Sequence, residues 1–150
     1  MSVEQAPEYK EVANKLIDKF PVCYAHIEFD KILFLKDLDK TPKKAADIRR
    51  VGYPYNFLTE YKFIITVYEQ ITVGFNEAQK NMLIHHEMLH ISEDFDHLNK
   101  HNIQDFAEII AKYGYDWTIN PNLPNILEDE EEPVKNVVNQ DDDNDELEIL

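Results

Sequence analysis

Tyr9, Val12, Ala13, Leu16, Ile17 and Phe20 recur at intervals of three and four residues, the spacing that lines one face of an α-helix, and Pro21 ends the run. The pattern predicts a helix over residues 8–20. IEFDKILFLK, residues 27–36, is dense in Ile, Leu and Phe with imperfect alternation, and is expected to form a strand. Alternation is cleaner in YKFIITVYEQ, residues 61–70, where Tyr61, Phe63, Ile65 and Val67 share one face and Lys62 and Thr66 the other. After Gly74, Asn76 stands three residues ahead of Gln79, the spacing of a capping box, so a helix should begin there and run to His90 or Ile91. Ile103, Phe106, Ala107 and Ile110 predict a last helix over 103–113, with Gly114 placed to end it in the left-handed conformation.

The intervening segments are polar. Residues 37–60 contain Pro42, Gly52 and Pro54 and a basic cluster of Lys40, Lys43, Lys44, Arg49 and Arg50. This stretch reads as a connector with a short strand or helix in it, its cations solvated rather than gathered for binding. Ser92–Asn99 reads as a loop and TINPNLPN as a run of turns. Strands and helices in this mixed order imply an α+β domain: a small sheet with flanking helices.

Charge then divides the chain. Of 150 residues, 15 are Lys or Arg and 30 are Asp or Glu, a net of -15. Residues 128–150 hold eleven of the acids and a single base, Lys135, so the preceding 127 residues are only mildly acidic. A domain over 1–127 and a disordered acidic tail over 128–150 are therefore expected. So acidic a chain is not expected to bind nucleic acid, whose phosphates require cations. No apolar run reaches the ~18 residues of a membrane span, and MSVEQAPEYKEV lacks the basic and apolar regions of a secretory signal. With one cysteine, Cys23, read as a small buried apolar residue, a reducing cytoplasmic setting is expected.

Five of the six histidines lie between positions 85 and 101. Within them is the string HEMLH, His86 to His90, expected by chance roughly 0.03 times in a chain of this composition. Residues i and i+4 of a helix are neighbours, so the two imidazoles can reach one metal ion. Glu87 lies about 100° around the helix from His86, where it can address a metal-bound water without being a ligand, as a general base does. His85, whose i+4 partner is Leu89, faces elsewhere and reads as a supporting or surface residue. A catalytic zinc takes three protein ligands and a water. His101, where the last helix starts, is one candidate for the third. His97, Asp96 and Glu108 are the alternatives, and Asp105 reads as a carboxylate orienting an imidazole. The longer pattern HExxHxxGxxH does not apply, because Glu93 and Asp96 stand where it needs Gly and His.

LIHHEMLHI followed by HNIQDFAEIIAKYGYDW resembles the putative phage metallopeptidase family, in which a histidine-rich HExxH string precedes an HD-x-x-E/D-F stretch and an aromatic-Gly-aromatic ending. The second stretch is also similar to the H-G-x-E-F element of SprT-like zinc proteases, whose histidine is the third ligand. The resemblance extends from about Tyr9 to Trp117 and implies a compact zincin-like fold, zinc as cofactor, and His101 beside His86 and His90 as ligands. Asn102 and Asp105 depart mildly from the family pattern, and the acidic tail has no counterpart in it. A phage-type protein would work in the host cytoplasm.

The function expected is a zinc metallopeptidase that hydrolyses peptide bonds in a peptide or protein substrate, with Glu87 as general base. Tyr113 and Tyr115 are candidate donors to the oxyanion, although tyrosines so placed more often only pack. The strand ending near Gln70 offers a sheet edge for an extended peptide. Two other readings remain: a structural zinc domain closed by His97 or Asp96 without peptidase activity, and an interaction protein that works through its acidic tail. The tail itself has a basic partner or the Lys40–Arg50 segment as its candidate contacts.

Overall fold

The structure is a computed structural model and describes residues 2–100, 106–114 and 116–128. In chain order its elements are β1 (Val3–Gln5), α1 (Pro7–Lys19), β2 (Ile32–Asp37), β3 (Ala46–Arg50), β4 (Phe63–Tyr68), α2 (Glu69–Thr72), α3 (Glu77–Met88) and α4 (Ala107–Tyr113). The four strands form one mixed sheet in the order β1-β2-β4-β3, giving the α+β architecture the sequence predicts. β2 and β4 run parallel with Ile32 opposite Phe63 and Phe34 opposite Ile65, while β1 and β3 are antiparallel to their neighbours. None of the helices among the described residues is long and apolar enough to cross a membrane.

Pleating sends Ile32, Phe34, Phe63, Ile65 and Val67 to the buried face of the sheet. On that face α1 lies over β2 and α3 over β3, and the two helices pack against each other. Tyr9, Ala13 and Leu16 are the buried stripe of α1, at the spacing read from the sequence. The opposite face, Leu33, Leu35, Ile64 and Thr66, is only half-buried. Cys23 is half-buried against the core, as its apolar reading implies.

Several boundaries differ from expectation. The strand placed at 27–36 begins only at Ile32, because Phe29–Lys31 coils into a 3-10 turn. β1 has no sequence signal: three exposed residues become a strand through pairing with β2. Within the 37–60 connector, β3 is the short strand anticipated there. Asp47 stands on its polar face, opposite Thr66, and is nonetheless buried: it accepts a 2.7 Å hydrogen bond from the Tyr68 hydroxyl and pairs with Lys44 at 3.4 Å. Burial, with Asp47 alongside, pushes that hydroxyl up to about 12. The strand over 61–70 is shorter than expected, Phe63–Tyr68, and it is not a sheet edge. β4 lies between β2 and β3, so its backbone groups are committed to both sides, and the outer strands are β1 and β3.

α3 starts as predicted. The Asn76 side chain accepts from the Gln79 amide at 2.9 Å, and the Gln79 side chain accepts from the Asn76 amide at 2.8 Å. Gln79 also works outside the box: its buried Nε2 lies 2.9 Å from the Thr118 carbonyl and 3.3 Å from those of Trp117 and Asn120. The amide thereby ties the 117–120 turns to the first turn of α3. Asn76→Ala should cost about 1 kcal/mol, the ordinary value of an N-cap. Gln79→Ala should cost more, because it breaks the capping box and also leaves the buried Trp117 carbonyl without this donor, at about 1–3 kcal/mol. Urea denaturation of the two variants checks the order, and equal losses would show that the 117–120 turns do not depend on Gln79.

Candidate functional site

α3 carries the HEMLH string through the interior. Met82, Leu83, Ile84, His85, Glu87 and Met88 are all buried, and His86 and His90 are half-buried. The regular helix stops at Met88, short of the predicted His90 or Ile91. The His90 amide then donates to the Glu87 carbonyl at 3.1 Å and the Ile91 amide to that of Met88 at 3.1 Å, both i to i-3. His90 therefore sits on a tightened 3-10 turn. This does not separate the imidazoles: the His86 and His90 ring centroids are 5.3 Å apart, inclined at 72°.

A hydrogen bond to the main chain orients His90. Its Nδ1 is 2.6 Å from the Asn99 carbonyl oxygen. A carbonyl only accepts, so Nδ1 carries the proton and Nε2 is the ring nitrogen that bears the lone pair. A backbone carbonyl on one ring nitrogen is the usual support of an imidazole that ligates metal through the other. Asn99 escaped the sequence reading because a main-chain acceptor leaves no mark in residue type.

The loop that delivers Asn99 is held from several sides. Ile91 and Leu98 form an isolated β-bridge. His26, the one histidine outside the cluster, places its Nε2 3.3 Å from the Ile91 carbonyl. Phe95 adopts φ 55, a left-handed conformation unfavourable for a bulky residue, and its ring is buried against Phe63 at 5.1 Å between centroids. Asp96 receives Arg50 at 3.3 Å and Lys62 at 3.6 Å, and the Arg50 hydrogen bond holds its carboxyl below the usual range.

Apolar rings close around the pair. Phe106 lies 5.3 Å from the His86 ring and 5.0 Å from that of His90, and Trp117 lies 6.0 Å from His86. Glu87 is 5% exposed and lies in this packed environment. The donor set, two imidazoles one turn apart with a carboxylate between them in sequence, suits a divalent transition metal such as zinc.

His85 is not a surface residue. It is 6% exposed, its Nδ1 is 2.5 Å from the Tyr24 hydroxyl, and its ring faces Phe20 and Tyr24 at 5.9 and 5.8 Å. The 100° turn from His86 to His85 carries it into the packing between α1 and α3. Neither His97 nor Asp96 joins His86 and His90. His97 pairs with Asp94 at 3.1 Å, Asp96 is engaged by Arg50 and Lys62, and no group of three or more potential metal ligands occurs among the described residues. His101, Asp105 and Tyr115, and the expected Ile103 start of the last helix, lie outside the described residues, as does most of the acidic tail. Glu108 falls on α4, which Phe106 caps. Gly114 ends that helix at φ 91, with its amide 2.9 Å from the Ile110 carbonyl. Tyr113 packs against the core under Lys112, as the packing reading implies.

Two stability tests follow from this geometry. Tyr24→Phe should cost about 1–3 kcal/mol, by removing the hydroxyl from buried His85, while leaving metal uptake unchanged. Phe95→Ala should cost about 3–5 kcal/mol in urea denaturation, since it empties the contact that seats the 92–99 loop. A neutral Phe95→Ala would mean the loop is held by its polar contacts and the Ile91–Leu98 bridge rather than by that ring.

Residues 1–129 match the family model described as putative phage metallopeptidase. Searches of curated proteins and of solved structures found no match.

Proposed function

The chain belongs to the putative phage metallopeptidase family, and from that premise we propose that it is a zinc peptidase with His86, His90 and His101 as ligands and Glu87 as general base. The observation that carries the reading is the His86–His90 pair at 5.3 Å, with the Nδ1 proton of His90 held by the Asn99 carbonyl, the arrangement that supports an imidazole ligating through its other nitrogen. The placing of His101 is supported from both sides in sequence. Asn99, two residues before it, holds His90, and the ring of Phe106, five residues after it, packs on both imidazoles.

Zinc held by these residues would supply Lewis acidity and make a water easier to deprotonate. Glu87 takes the proton of the attacking water as it adds to the scissile carbonyl, then returns it to the leaving amine. Phe106 packs on both imidazoles and Trp117 on His86, which shields the half-buried pair in part from bulk water and strengthens the electrostatics there. The antiparallel outer strand β3, which packs on α3, is the edge along which an extended peptide would pair. The catalytic unit is residues 1–127, in keeping with a family match over 1–129, and the host cytoplasm is the compartment this reading implies.

Elemental analysis of the purified chain should find about one zinc per molecule. His86→Ala, His90→Ala and His101→Ala should each lose it. Glu87→Gln should keep the metal and lose peptide hydrolysis by a factor of about 10²–10⁴. Full zinc occupancy in His101→Ala would remove that residue from the ligand set. Zinc binding with no hydrolysis in the native chain, on a broad panel of peptides, would favour a metal-binding domain without peptidase activity.

A further inference from the structure

The 11 residues from Lys40 to Arg50 hold Lys40, Lys43, Lys44, Arg49 and Arg50, a third of the chain's 15 Lys and Arg, against one carboxylate, Asp47. All five cations are exposed. The segment ends in β3, whose far side has no neighbouring strand among the described residues. Tyr68 donates its amide to the Ala45 carbonyl and Val51 its amide to the Lys62 carbonyl, so by antiparallel alternation the odd-numbered residues face β4. The N–H and C=O groups of Ala46, Ile48 and Arg50 therefore point outward, in position to pair with another strand.

Directly after β3 stands an apolar cluster that the fold does not bury. Tyr53, Tyr55, Phe57 and Leu58 are 82%, 64%, 74% and 80% exposed, and the Tyr53 and Phe57 rings pack on each other at 5.7 Å. Four large hydrophobic side chains within six residues make a patch of the kind that marks a contact surface. Between this cluster and the 92–99 loop opens a cleft of about 340 Å³ lined by Arg50, Tyr61, Lys62 and Asp96 among others. Along the chain the cations thus lead into the open strand edge, and the apolar cluster follows it, with Arg50 and Asn56 both lining the cleft.

We propose that this surface is the docking site of the chain's own C-terminal segment, residues 129–150. The complementarity is of two kinds. Residues 129–150 carry ten acidic residues and one base, and they end in Leu147, Ile149 and Leu150. The order also matches: an acidic block over 141–146 precedes the apolar end, just as the cations of 40–50 precede the aromatic cluster of 53–58. Reach is ample, since 22 extended residues span about 70 Å, whereas a domain of this size has a radius of gyration of about 14 Å. Being tethered, the segment meets the surface at an effective concentration in the millimolar range, which a second copy in dilute solution does not match. The contact itself is independent of the metal site. Its consequence, that the tail competes with a peptide for the edge of β3, rests on the peptidase reading.

Zero-length carbodiimide cross-linking of the full chain, read by mass spectrometry of the monomer fraction, tests the contact. Carboxylates of 141–148 should couple to Lys40, Lys43, Lys44 and Lys62 about fivefold more often than to Lys10, Lys15 and Lys80. That preference should vanish near 1 M NaCl, where the screening length is about 3 Å. The double variant Phe57→Asp, Leu58→Asp changes only exposed side chains and should also lower the preference several-fold. An even spread over all lysines would overturn the proposal, as would coupling confined to a dimer fraction or unaffected by both salt and the double variant.

Discussion

A helix buried on nearly every side has no solvent face for its polar residues, and this constraint on α3 organises the molecule. Gln79, Asn81, His85 and Glu87 are all buried on it, so each needs a partner from another part of the chain. Gln79 draws in the 117–120 turns, and Asn81 donates to the Asn125 side chain at 2.9 Å. His85 meets Tyr24 beyond the end of α1. The polar groups of one helix thereby determine where three other segments lie. The same segments bring Trp117 and Phe20 onto its histidines.

The second half of the site depends on a loop rather than on the helix. His90 receives its orienting carbonyl from Asn99, and Asn99 is positioned by a loop seated through Phe95 in the core and Asp96 on Arg50 and Lys62. Arg50 belongs to β3 and Lys62 directly precedes β4, so the sheet reaches the imidazole through this loop. A left-handed phenylalanine is unfavourable in isolation, and the burial of its ring beside Phe63 offsets that local cost.

Short-range signals along the chain were readable and held. The stripe of α1, the alternation of β4 and the reciprocal bonds of Asn76 and Gln79 all depend on residues within four positions of one another. The adjacency of His86 and His90 does too, surviving even where the last helical turn tightens. Such features follow from the geometry of a few consecutive peptide units, so residue order alone carries them.

Long-range choices were not readable. β4 became an interior strand because β3 folds back onto its free side, and β1 became a strand because β2 offers it partners. His85 was taken into the core by the packing of α1 against α3, and Asp47 was buried because Tyr68 and Lys44 could satisfy it. Which nitrogen of His90 carries its proton was settled by a main-chain carbonyl nine residues away, a group every residue possesses. Local periodicity names the candidate groups. Their neighbours come from contacts between distant segments, whose energies depend on packing and mutual satisfaction that no local window contains.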